Sequence, residues 1–248
     1  MCGRFSLTAP PSEVRAHFDF EDAPNFPPRY NIAPTQPIGV VRLENGERRF
    51  RLVRWGLIPP WVKDPKAFTL LINARSETAA EKPAFKLAMR RRRCIVPANG
   101  FYEWQRMDAK NKQAYWVPER WQGVFGFAGI YEAWMGPDGE EMETAAILTT
   151  AANDTLKDIH ARMPVVIPKE HYARWLDCAE DDATPIKDLL EPAANDFFKP
   201  IPVSDRVGSV RHDDARLQER VPAKSDVSVE HAVPKRASPK TDDQMDLF

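Results

Sequence analysis

The sequence predicts an α+β protein built around a mostly antiparallel sheet. Residues 38–43 and 49–54 are strand-like, and Asn45-Gly46 between them supplies the positive φ values that a tight hairpin turn requires. Further strand-like segments follow, separated by polar turns, and the helical patterns between and after them are short. Strands joined in this way pair mainly antiparallel.

The remaining elements follow in chain order. Expected strands cover residues 100–106, 113–117, 124–131, 144–150 and 165–167. Expected helices cover residues 12–18, 83–93, 153–160, 169–176 and 185–190. Thr78 with Glu81 forms a capping-box pattern, Pro83 suits a first helical position, and Asn153 suits an N-cap. The proline-rich residues 23–37 predict an ordered loop.

Length and composition indicate one domain with a tail. The 248 residues are 43% hydrophobic and 29% charged, a balance typical of globular proteins. We expect one folded domain over residues 1–210. Residues 211–248 are polar and contain a single aromatic residue, so we expect them to be disordered. A net charge of −1 argues against coating nucleic acid by bulk electrostatics, and any DNA contact must be local.

The sequence carries no signal for export or for a metal centre. It has no apolar run of about 20 residues and no basic region followed by a hydrophobic segment, so we expect a cytoplasmic, nucleoid-associated protein. Cys2, Cys94 and Cys178 lack paired spacing, which indicates neither a disulfide framework nor a zinc site. No cofactor is expected.

One basic run stands out. It comprises Lys86 and Arg90 to Arg93, and Arg4, Arg75 and Arg162 could extend it if folding gathers them. Such a run forms either a DNA contact or, more commonly, the solvated end of a helix.

The second residue offers unusual chemistry. Methionine is removed efficiently before a small residue, so Cys2 can become the amino terminus. Its α-amine would have a pKa of about 7.7 to 8.0, which leaves part of it neutral and nucleophilic at pH 7. An amine forms a reversible Schiff base with an aldehyde, and a thiol two carbons away can close a thiazolidine ring by proximity. On position alone, Cys2 could equally be a small buried residue.

Several separate segments share one resemblance. They are Met1-Cys2-Gly3-Arg4-Phe5, Arg29-Tyr30-Asn31-Ile32-Ala33-Pro34-Thr35, Trp55-Gly56-Leu57-Ile58-Pro59 with Trp61, Ile72-Asn73-Ala74-Arg75-Ser76-Glu77-Thr78, Arg93-Cys94-Ile95-Val96-Pro97, Gly100-Phe101-Tyr102-Glu103-Trp104, Thr149-Thr150-Ala151-Ala152, Asp158-Ile159-His160-Ala161-Arg162-Met163-Pro164 and Pro202-Val203-Ser204. In this order and spacing, the chain resembles the SOS-response-associated peptidase (SRAP) family over roughly residues 1 to 210.

The resemblance implies a fold and a reaction. The fold would be a single α+β domain with a curved, mostly antiparallel sheet approaching a barrel, peripheral helices and a positively charged channel. The activity would be the sensing of abasic sites in single-stranded DNA through a covalent crosslink to Cys2, with removal of Met1 by the protein itself as one route to maturation. The implied catalytic residues are Cys2, Asn73, Glu103 and His160. Glu103 would relay protons during sugar opening, and His160 would act as an acid or assist elimination of the 3′ phosphate.

The resemblance also implies DNA-binding residues. These are Arg4, Asn31, Pro34, Trp55, Trp61, Arg75 and Arg162. The arginines would hold phosphates, and the loops with Pro34 and the two tryptophans would wedge between or stack on bases. Each arginine could instead form a surface salt bridge, and Trp55 could equally be a core residue.

The extreme carboxyl terminus carries a separate motif. Gln244-Met245-Asp246-Leu247-Phe248 resembles the peptide by which many bacterial proteins bind the replication sliding clamp. We expect Gln244, Leu247 and Phe248 to be its anchors and the tail to be a tether. The protein is otherwise expected to be a monomer.

Other classes of function remain open at this point. Glutamine amidotransferases also begin with cysteine and glycine, so an amino-terminal-nucleophile hydrolase is one alternative, although Asn45-Gly46 is better explained as a hairpin turn. A noncovalent reader of modified single-stranded DNA is another. A metal enzyme built on Cys2, Cys94, His160 and Cys178 is weakly supported, because those residues lack ligand spacing.

Overall fold

The computed structural model describes residues 2–109, 111–179 and 183–224. The strands in this part of the chain are β1 Phe5–Leu7, β2 Arg29–Ile32, β3 Pro37–Glu44, β4 Glu47–Trp55, β5 Asn73–Arg75, β6 Arg93–Ala98, β7 Gly100–Arg106, β8 Lys112–Pro118, β9 Phe125–Met135, β10 Glu141–Ala151, β11 Arg162–Pro164, β12 Val166–Ile167 and β13 Ile201–Val203. The α-helices are α1 Pro11–Phe18, α2 Ser76–Ala79, α3 Lys86–Arg91 and α4 Tyr172–Leu176. Short 3₁₀ helices cover Lys169–His171, Thr184–Leu190, Asp205–Gly208 and Ala215–Gln218. Within these ranges no helix is both long and apolar enough to cross a membrane.

Two sheets form the molecule. The first runs β13-β8-β7-β1-β2, and the second runs β11-β10-β4-β3-β6-β9-β12 with β5 attached to β10. A further pairing between β9 and β10 closes β10, β4, β3, β6 and β9 into a ring of five strands. The pairings are antiparallel except for those of β10 with β4 and with β5. The prediction of an α+β fold with a curved, mostly antiparallel sheet approaching a barrel is therefore confirmed.

The predicted hairpin is present at β3 and β4. Eight residue pairs run from Pro37 opposite Arg54 to Glu44 opposite Glu47. Asn45 and Gly46 both have positive φ, 53° and 83°, as a two-residue turn matched to the twist of the strands requires.

Aromatic side chains fill the space between the two sheets. The Phe5 ring from β1 meets the rings of Trp55 and Phe127, from the barrel strands, edge-to-face at 5.2 and 6.0 Å between centroids. All three side chains are buried. Truncating a buried phenylalanine of this kind costs about 3 to 5 kcal/mol, because the cavity adds to the lost burial. The start of the chain is thus held by packing against the barrel.

The basic run is divided between the protein surface and the interior. The expected helix over 83–93 is shorter, and Arg93 is the first residue of a barrel strand that sequence reasoning missed. Its buried guanidinium donates to the carbonyls of Met89 at 2.8 Å, Trp175 at 2.7 Å and Asp177. Arg92 pairs with Glu132 at 3.0 Å. These contacts join α3 to the barrel, and they leave Arg93 unavailable to DNA.

The expected helix over 153–160 is instead a series of turns. The Asn153 side chain does accept from the Leu156 N–H at 3.1 Å, as a cap would. Its amide nitrogen also donates to the carbonyls of Ala193 and Ala194, at 2.9 and 3.2 Å. This tertiary anchoring replaces the regular helix that the local pattern favours.

The ordered domain extends past the predicted boundary at residue 210. Leu217, in the 3₁₀ helix Ala215–Gln218, is fully buried, and the Val221 N–H donates to the Pro202 carbonyl at 2.9 Å. The predicted disordered tail over 211–248 therefore starts too early. The sequence pattern failed because Leu217 is one apolar anchor in a polar segment. The peptide 244–248 lies outside the described residues.

Candidate functional site

The register of the first strand determines where the amino terminus lies. β1 pairs antiparallel with β7, with Phe5 opposite Phe101, and the Tyr102 N–H donates to the Arg4 carbonyl at 2.9 Å. Continuing this register brings Cys2 alongside the segment of β7 that contains Glu103. The start of the chain and the Glu103 carboxyl therefore share one end of the first sheet.

Cys2 is buried at this end of the sheet. Its Sγ lies 3.8 Å from the Arg4 carbonyl oxygen. Burial and, to a smaller degree, the nearby Glu103 carboxylate raise the pKa of the Cys2 thiol far above its usual range. The side chain is thus a thiol, not a thiolate, at neutral pH.

Asn73 fixes the backbone of Cys2. It lies on β5, which pairs in parallel with β10 so that Asn73 is opposite Ile147. Its Nδ2 donates to the Cys2 carbonyl at 2.8 Å. Its Oδ1 is buried and has no hydrogen-bond partner among the described residues. Because a buried carbonyl oxygen normally accepts a hydrogen bond, this atom is available for a substrate hydroxyl or amine.

Glu103 is a buried carboxyl group on β7, only 4% exposed. Burial raises the pKa of the Glu103 carboxyl above its usual range, while its electrostatic interaction with His160 acts in the opposite direction. A carboxyl group with a raised pKa exchanges protons closer to neutral pH. This is the property that a proton relay requires.

His160 faces the same space as Glu103. The Arg162 N–H donates to His160 Nδ1 at 2.9 Å, so the proton of the neutral imidazole lies on Nε2. Glu103 and His160 both line a cavity of about 500 Å³ between β7 and residues 157–161. The structure therefore links the four predicted catalytic residues: Asn73 on β5 and Glu103 on β7 lie near Cys2, just before β1, and Glu103 shares a cavity with His160 from the turn region.

Arg75 and Arg162 come from two strands that both pair with β10. Arg75 is opposite Thr149 in the β5–β10 pair, and Arg162 is opposite Ala151 in the β10–β11 pair. The Arg162 guanidinium is held by both carboxylate oxygens of Glu77, at 2.5 and 2.9 Å. Arg75 is exposed and forms no ion pair within the described part of the chain. Arg75 is thus the more available of the two cations.

Arg4 and Asn31 hold the fold together. Arg4 donates to Asn31 Oδ1 and to the Val207 carbonyl, both at 2.8 Å. The Asn31 amide donates in turn to the carbonyls of Ser209 and His212 at 3.0 and 2.8 Å. Their predicted DNA contacts are not supported by this placement, because these hydrogen bonds occupy the Asn31 amide and commit Arg4 to the carboxyl-terminal segment.

The two predicted stacking tryptophans differ in exposure. Trp55 is fully buried and its indole N–H donates to the Ile72 carbonyl at 2.9 Å, so it is a core residue and offers no face to a base. Trp61 is 58% exposed and rests edge-on against Phe68 at 5.5 Å. Pro34 is half-buried, beside Thr35, whose φ is 72°. Stacking is therefore available to Trp61 and not to Trp55.

Sequence reasoning missed the partner of Arg162 and the residues at the mouth of the cavity. Glu77 was visible in the segment Asn73-Ala74-Arg75-Ser76-Glu77-Thr78, but its pairing with a residue 85 positions later has no local signal. Arg106 and Lys112 also line the cavity. Their signal is their position on either side of the β7–β8 turn.

Neither a metal cluster nor the larger cavity points to other chemistry. Among the described residues, no group of three or more His, Cys, Asp or Glu side chains is placed to hold a metal ion. A larger cavity of about 700 Å³ lies elsewhere, with His17, Phe125, Tyr172 and Phe197 in its lining, and it includes none of the four predicted catalytic residues. Glu103 and His160 line the smaller cavity, which is therefore the candidate site.

The fold and the site define a class of protein: an α+β domain with a five-stranded barrel, in which the cysteine at position 2 lies beside a buried glutamate, a histidine and an asparagine. Comparison of the sequence with protein-family models gives the same class. The model for SOS response associated peptidase (SRAP) matches residues 1–210, and the chain belongs to this family.

The similar proteins include bacterial and vertebrate ones. The abasic site processing protein YoaM of Bacillus subtilis is 39% identical over 220 residues, covering 88% of this chain and 97% of its own length. YoqW of the same organism is 38% identical over 222 residues, covering 88% of this chain and 99% of its own. The abasic site processing protein HMCES of Rattus norvegicus is 30% identical over 251 residues, covering 81% of this chain and 71% of its own.

Solved structures share the fold. A crystal structure of a protein from Bacteroides thetaiotaomicron superposes with a TM-score of 0.79 at 26% identity, covering 89% of this chain and 100% of the other. A phage-related protein from Bordetella bronchiseptica gives a TM-score of 0.67 at 30% identity, covering 86% of this chain and 99% of the other.

Proposed function

We propose that this protein captures abasic sites in single-stranded DNA by forming a covalent thiazolidine crosslink through Cys2, after Met1 has been removed. The observation that carries the proposal is a connected set of four residues: Asn73 binds the Cys2 carbonyl, Cys2 lies near Glu103, and Glu103 shares a cavity with His160. The names of the relatives, abasic site processing proteins, support the choice of substrate.

Removal of Met1 is the step that makes the site reactive. It converts the Cys2 amide nitrogen into a primary amine whose pKa, about 7.7 to 8.0 in a free chain, leaves a neutral fraction at pH 7. The amine attacks first, because burial keeps the Cys2 thiol protonated. Self-cleavage at this bond would be the peptidase activity that the family name describes.

The abasic sugar must open before the amine can react. In the closed hemiacetal, the hydroxyl on C1′ gives its proton to the Glu103 carboxylate, the bond between C1′ and the ring oxygen breaks, and the ring oxygen takes a proton from the imidazolium form of His160, which becomes neutral. The product is a free aldehyde. The raised pKa of Glu103 and the fixed ring of His160 support these two roles.

Capture then proceeds in two bond-forming steps. The Cys2 nitrogen adds to C1′ and water leaves, which gives an imine. Sγ adds to the same carbon as its proton passes to nitrogen, and a five-membered ring forms. The overall balance is aldehyde plus amine and thiol giving thiazolidine plus water. A strand cleaved by elimination at the imine stage would be the lyase activity.

Arg75 and Trp61 are the exposed groups best placed to hold the DNA. We assign Arg75 to a backbone phosphate and Trp61 to a neighbouring base. Arg162, whose guanidinium is bound by Glu77, orients His160 through its backbone N–H and reaches a phosphate only if that ion pair opens.

The test begins with the mass of the purified chain, which must lack the leading methionine. Trimmed protein is then incubated with an oligonucleotide containing one abasic site and run on a denaturing gel without reducing agent. We expect a shifted band with wild-type protein and with Cys178→Ala, whose cysteine lies away from the site, and none with Cys2→Ala. A trimmed wild-type protein that leaves the oligonucleotide unshifted contradicts the proposal.

Three other results would point to a different reacting residue or a different function. A shifted band that persists in Cys2→Ala would assign the bond to the backbone amine alone or to another residue, and would contradict the thiazolidine. Binding without any covalent product, measured on a native gel, would favour a noncovalent reader of single-stranded DNA. Glutaminase activity of the trimmed protein would favour the amino-terminal-nucleophile hydrolase.

A further inference from the structure

The mouth of the cavity over Glu103 and His160 is lined by basic residues that the proposed chemistry does not use. Arg106, Lys112 and Lys157 line it, together with one exposed carboxylate, that of Asp158. Lys157 is paired with Asp154 at 2.7 Å. The side chains of Arg106 and Lys112 are exposed and form no ion pair within the described residues.

The pairing of β7 with β8 places these two cations side by side. Arg106 is directly opposite Lys112 at the last rung of the ladder. Side chains directly opposite in an antiparallel pair lie about 4.5 to 5.5 Å apart at Cβ, and like charges there are destabilising. An anion bound between the two side chains would remove this repulsion.

Hydrogen bonds close the turn between β7 and β8. The Asp108 carboxylate accepts from the Asn111 backbone N–H at 2.9 Å and from its side-chain amide at 2.7 Å. The Met107 N–H donates to the Asn111 carbonyl at 3.0 Å. These bonds set the backbone positions of Arg106 and Lys112 relative to Glu103, which lies three residues before Arg106 on the same strand. The exposed side chains of the two cations extend from this ordered backbone.

β7 is also open on the side that faces the cavity. Among the described residues, β1 pairs with β7 only near Gly100 and Phe101, with one more hydrogen bond at Tyr102. Beyond that point β8 is the only strand paired with β7 in the part of the chain that the structure describes. An extended nucleic acid strand can therefore reach both the floor of the cavity and the cation pair without displacing a protein strand.

From these observations we infer that Arg106 and Lys112 form a phosphate-binding site for the DNA backbone on one side of the abasic sugar. Arg75 lies on a different strand and in the other sheet, so it holds the backbone elsewhere along the DNA. The inference rests on the proposed function for its ligand, a phosphodiester that flanks the reacting sugar. It assigns binding, not catalysis, to the two cations.

The test uses the double variant Arg106→Gln with Lys112→Gln. We expect about fivefold to tenfold weaker binding of abasic single-stranded DNA at low salt, and a log–log salt slope that is shallower by about 0.7 for each phosphate that the protein no longer neutralises. The crosslinking rate at saturating DNA should change less than about twofold, because the cations do not touch the reacting atoms.

Controls separate charge from position. Lys169→Gln with Lys187→Gln removes the same charge from exposed residues outside the cavity lining and should change affinity much less. Arg106→Lys keeps the charge and should retain most of the affinity. The Gln pair removes a like-charge repulsion, so its melting temperature should be no lower than that of wild type.

Oligonucleotides with a phosphate on only one side of the lesion locate the binding site along the DNA. One substrate has the abasic residue at its 5′ end and the other at its 3′ end, so each lacks one flanking phosphate. The double variant should bind more weakly than wild type to the substrate that keeps the phosphate held by the cation pair. It should bind like wild type to the substrate that lacks this phosphate, because the interaction is then already absent. An affinity and salt slope equal to those of the Lys169 and Lys187 control would overturn the inference.

The failures of the two proposals are distinguishable. If wild type crosslinks normally and the double variant binds like the control, the proposed function stands and the phosphate site is wrong. If wild type forms no crosslink but the variant still loses affinity and salt dependence for single-stranded DNA, the site stands as a binding surface and the covalent mechanism is wrong.

Discussion

Cys2 and Cys94 are both fully buried, and their surroundings explain why only one is expected to react. Burial raises the pKa of both thiols far above the usual range. Cys94 lies within β6 of the barrel, where it packs among apolar side chains and lies close to Gly129. Cys2 has Asn73 on its carbonyl and Glu103 nearby.

This comparison shows that thiol acidity does not distinguish the two cysteines. The difference lies in the backbone nitrogen, which only Cys2 can release as an amine, and in the polar groups around it. The barrel interior keeps its thiol inert, while the end of the first sheet holds one beside a carboxyl group, an amide and an imidazole. Variants of residues in both regions can test this contrast.

Exchanging sulfur for oxygen at the two positions should have opposite consequences. Cys2→Ser keeps the amine but loses the thiol, so the heat-stable crosslink should fall at least about 100-fold while a borohydride-trapped Schiff base persists. Cys94→Ser should crosslink normally but lose about 1 to 3 kcal/mol of unfolding free energy, because a hydroxyl is buried among apolar groups. Gel assays and denaturant unfolding measure both. Equal crosslinking by the two variants would contradict the proposed difference in reactivity between Cys2 and Cys94.

Glu103→Gln should reduce the crosslinking rate by about 100-fold, because the amide cannot relay the proton from the sugar hydroxyl. The same variant also removes the free-energy cost of burying an ionised carboxylate in the folded protein. The pKa of Glu103 is raised in the folded protein above its ordinary 4.5, so the unfolded chain ionises first and wild-type stability falls as pH rises above about 4.5.

The stability of the Gln variant should not show that fall, so its unfolding free energy should gain on wild type as the pH rises from about 4 to about 7. Parallel denaturant titrations across this interval measure the difference. A constant difference between the two proteins would mean that Glu103 titrates as an ordinary exposed carboxyl group.

Asn73→Ala should slow crosslinking about tenfold, because the Cys2 carbonyl loses the hydrogen bond that orients the attacking nitrogen. Asn99→Ala is the matched control, since Asn99 is also a buried amide, bound to Thr8, but lies away from the cavity. The control should lose stability without a change in single-turnover rate. If both variants slowed equally, the effect would be loss of structure rather than of orientation.

Trp61→Ala should weaken binding of single-stranded DNA by about 1 kcal/mol, roughly fivefold, with little change in melting temperature. Trp55→Ala should instead cost about 3 to 5 kcal/mol of stability, because its indole fills the core between the sheets. Fluorescence anisotropy and thermal unfolding separate the two effects. An unchanged affinity in Trp61→Ala would remove base stacking from this loop.

Local patterns were sufficient for much of the fold. The Asn45-Gly46 turn and the strand at residues 100–106 were predicted at their observed positions, because turn chemistry and strand propensity act within a few residues. β6 was missed because its first residue, Arg93, looks like the basic end of a helix. Its burial depends on carbonyls from Trp175 and Asp177, more than 80 positions later.

The site shows the same division. Cys2 could be singled out from its position after Met1, whereas the gathering of Asn73, Glu103 and His160 around it came only from resemblance to a family. No periodicity in the chain predicts that a parallel strand will bring Asn73 to the Cys2 carbonyl. The hydrogen bonds of Arg4 and Asn31 to residues 207–212 could not be predicted for a related reason: the acceptors there are backbone carbonyls, which carry no sequence signal.

The hydrogen bonds from Arg4 and Asn31 to residues 207–212 mean that the carboxyl-terminal end of the domain supports the start of the chain. Arg4, two positions after Cys2, is hydrogen-bonded to this segment, and the buried side chain of Leu217 anchors the 3₁₀ helix that follows. A chain shortened to residue 210, where the family match ends, would lose the Leu217 anchor and the His212 carbonyl together. Cys2 would then precede a less firmly held β1. Crosslinking should decrease at a lower temperature than the one at which the barrel unfolds.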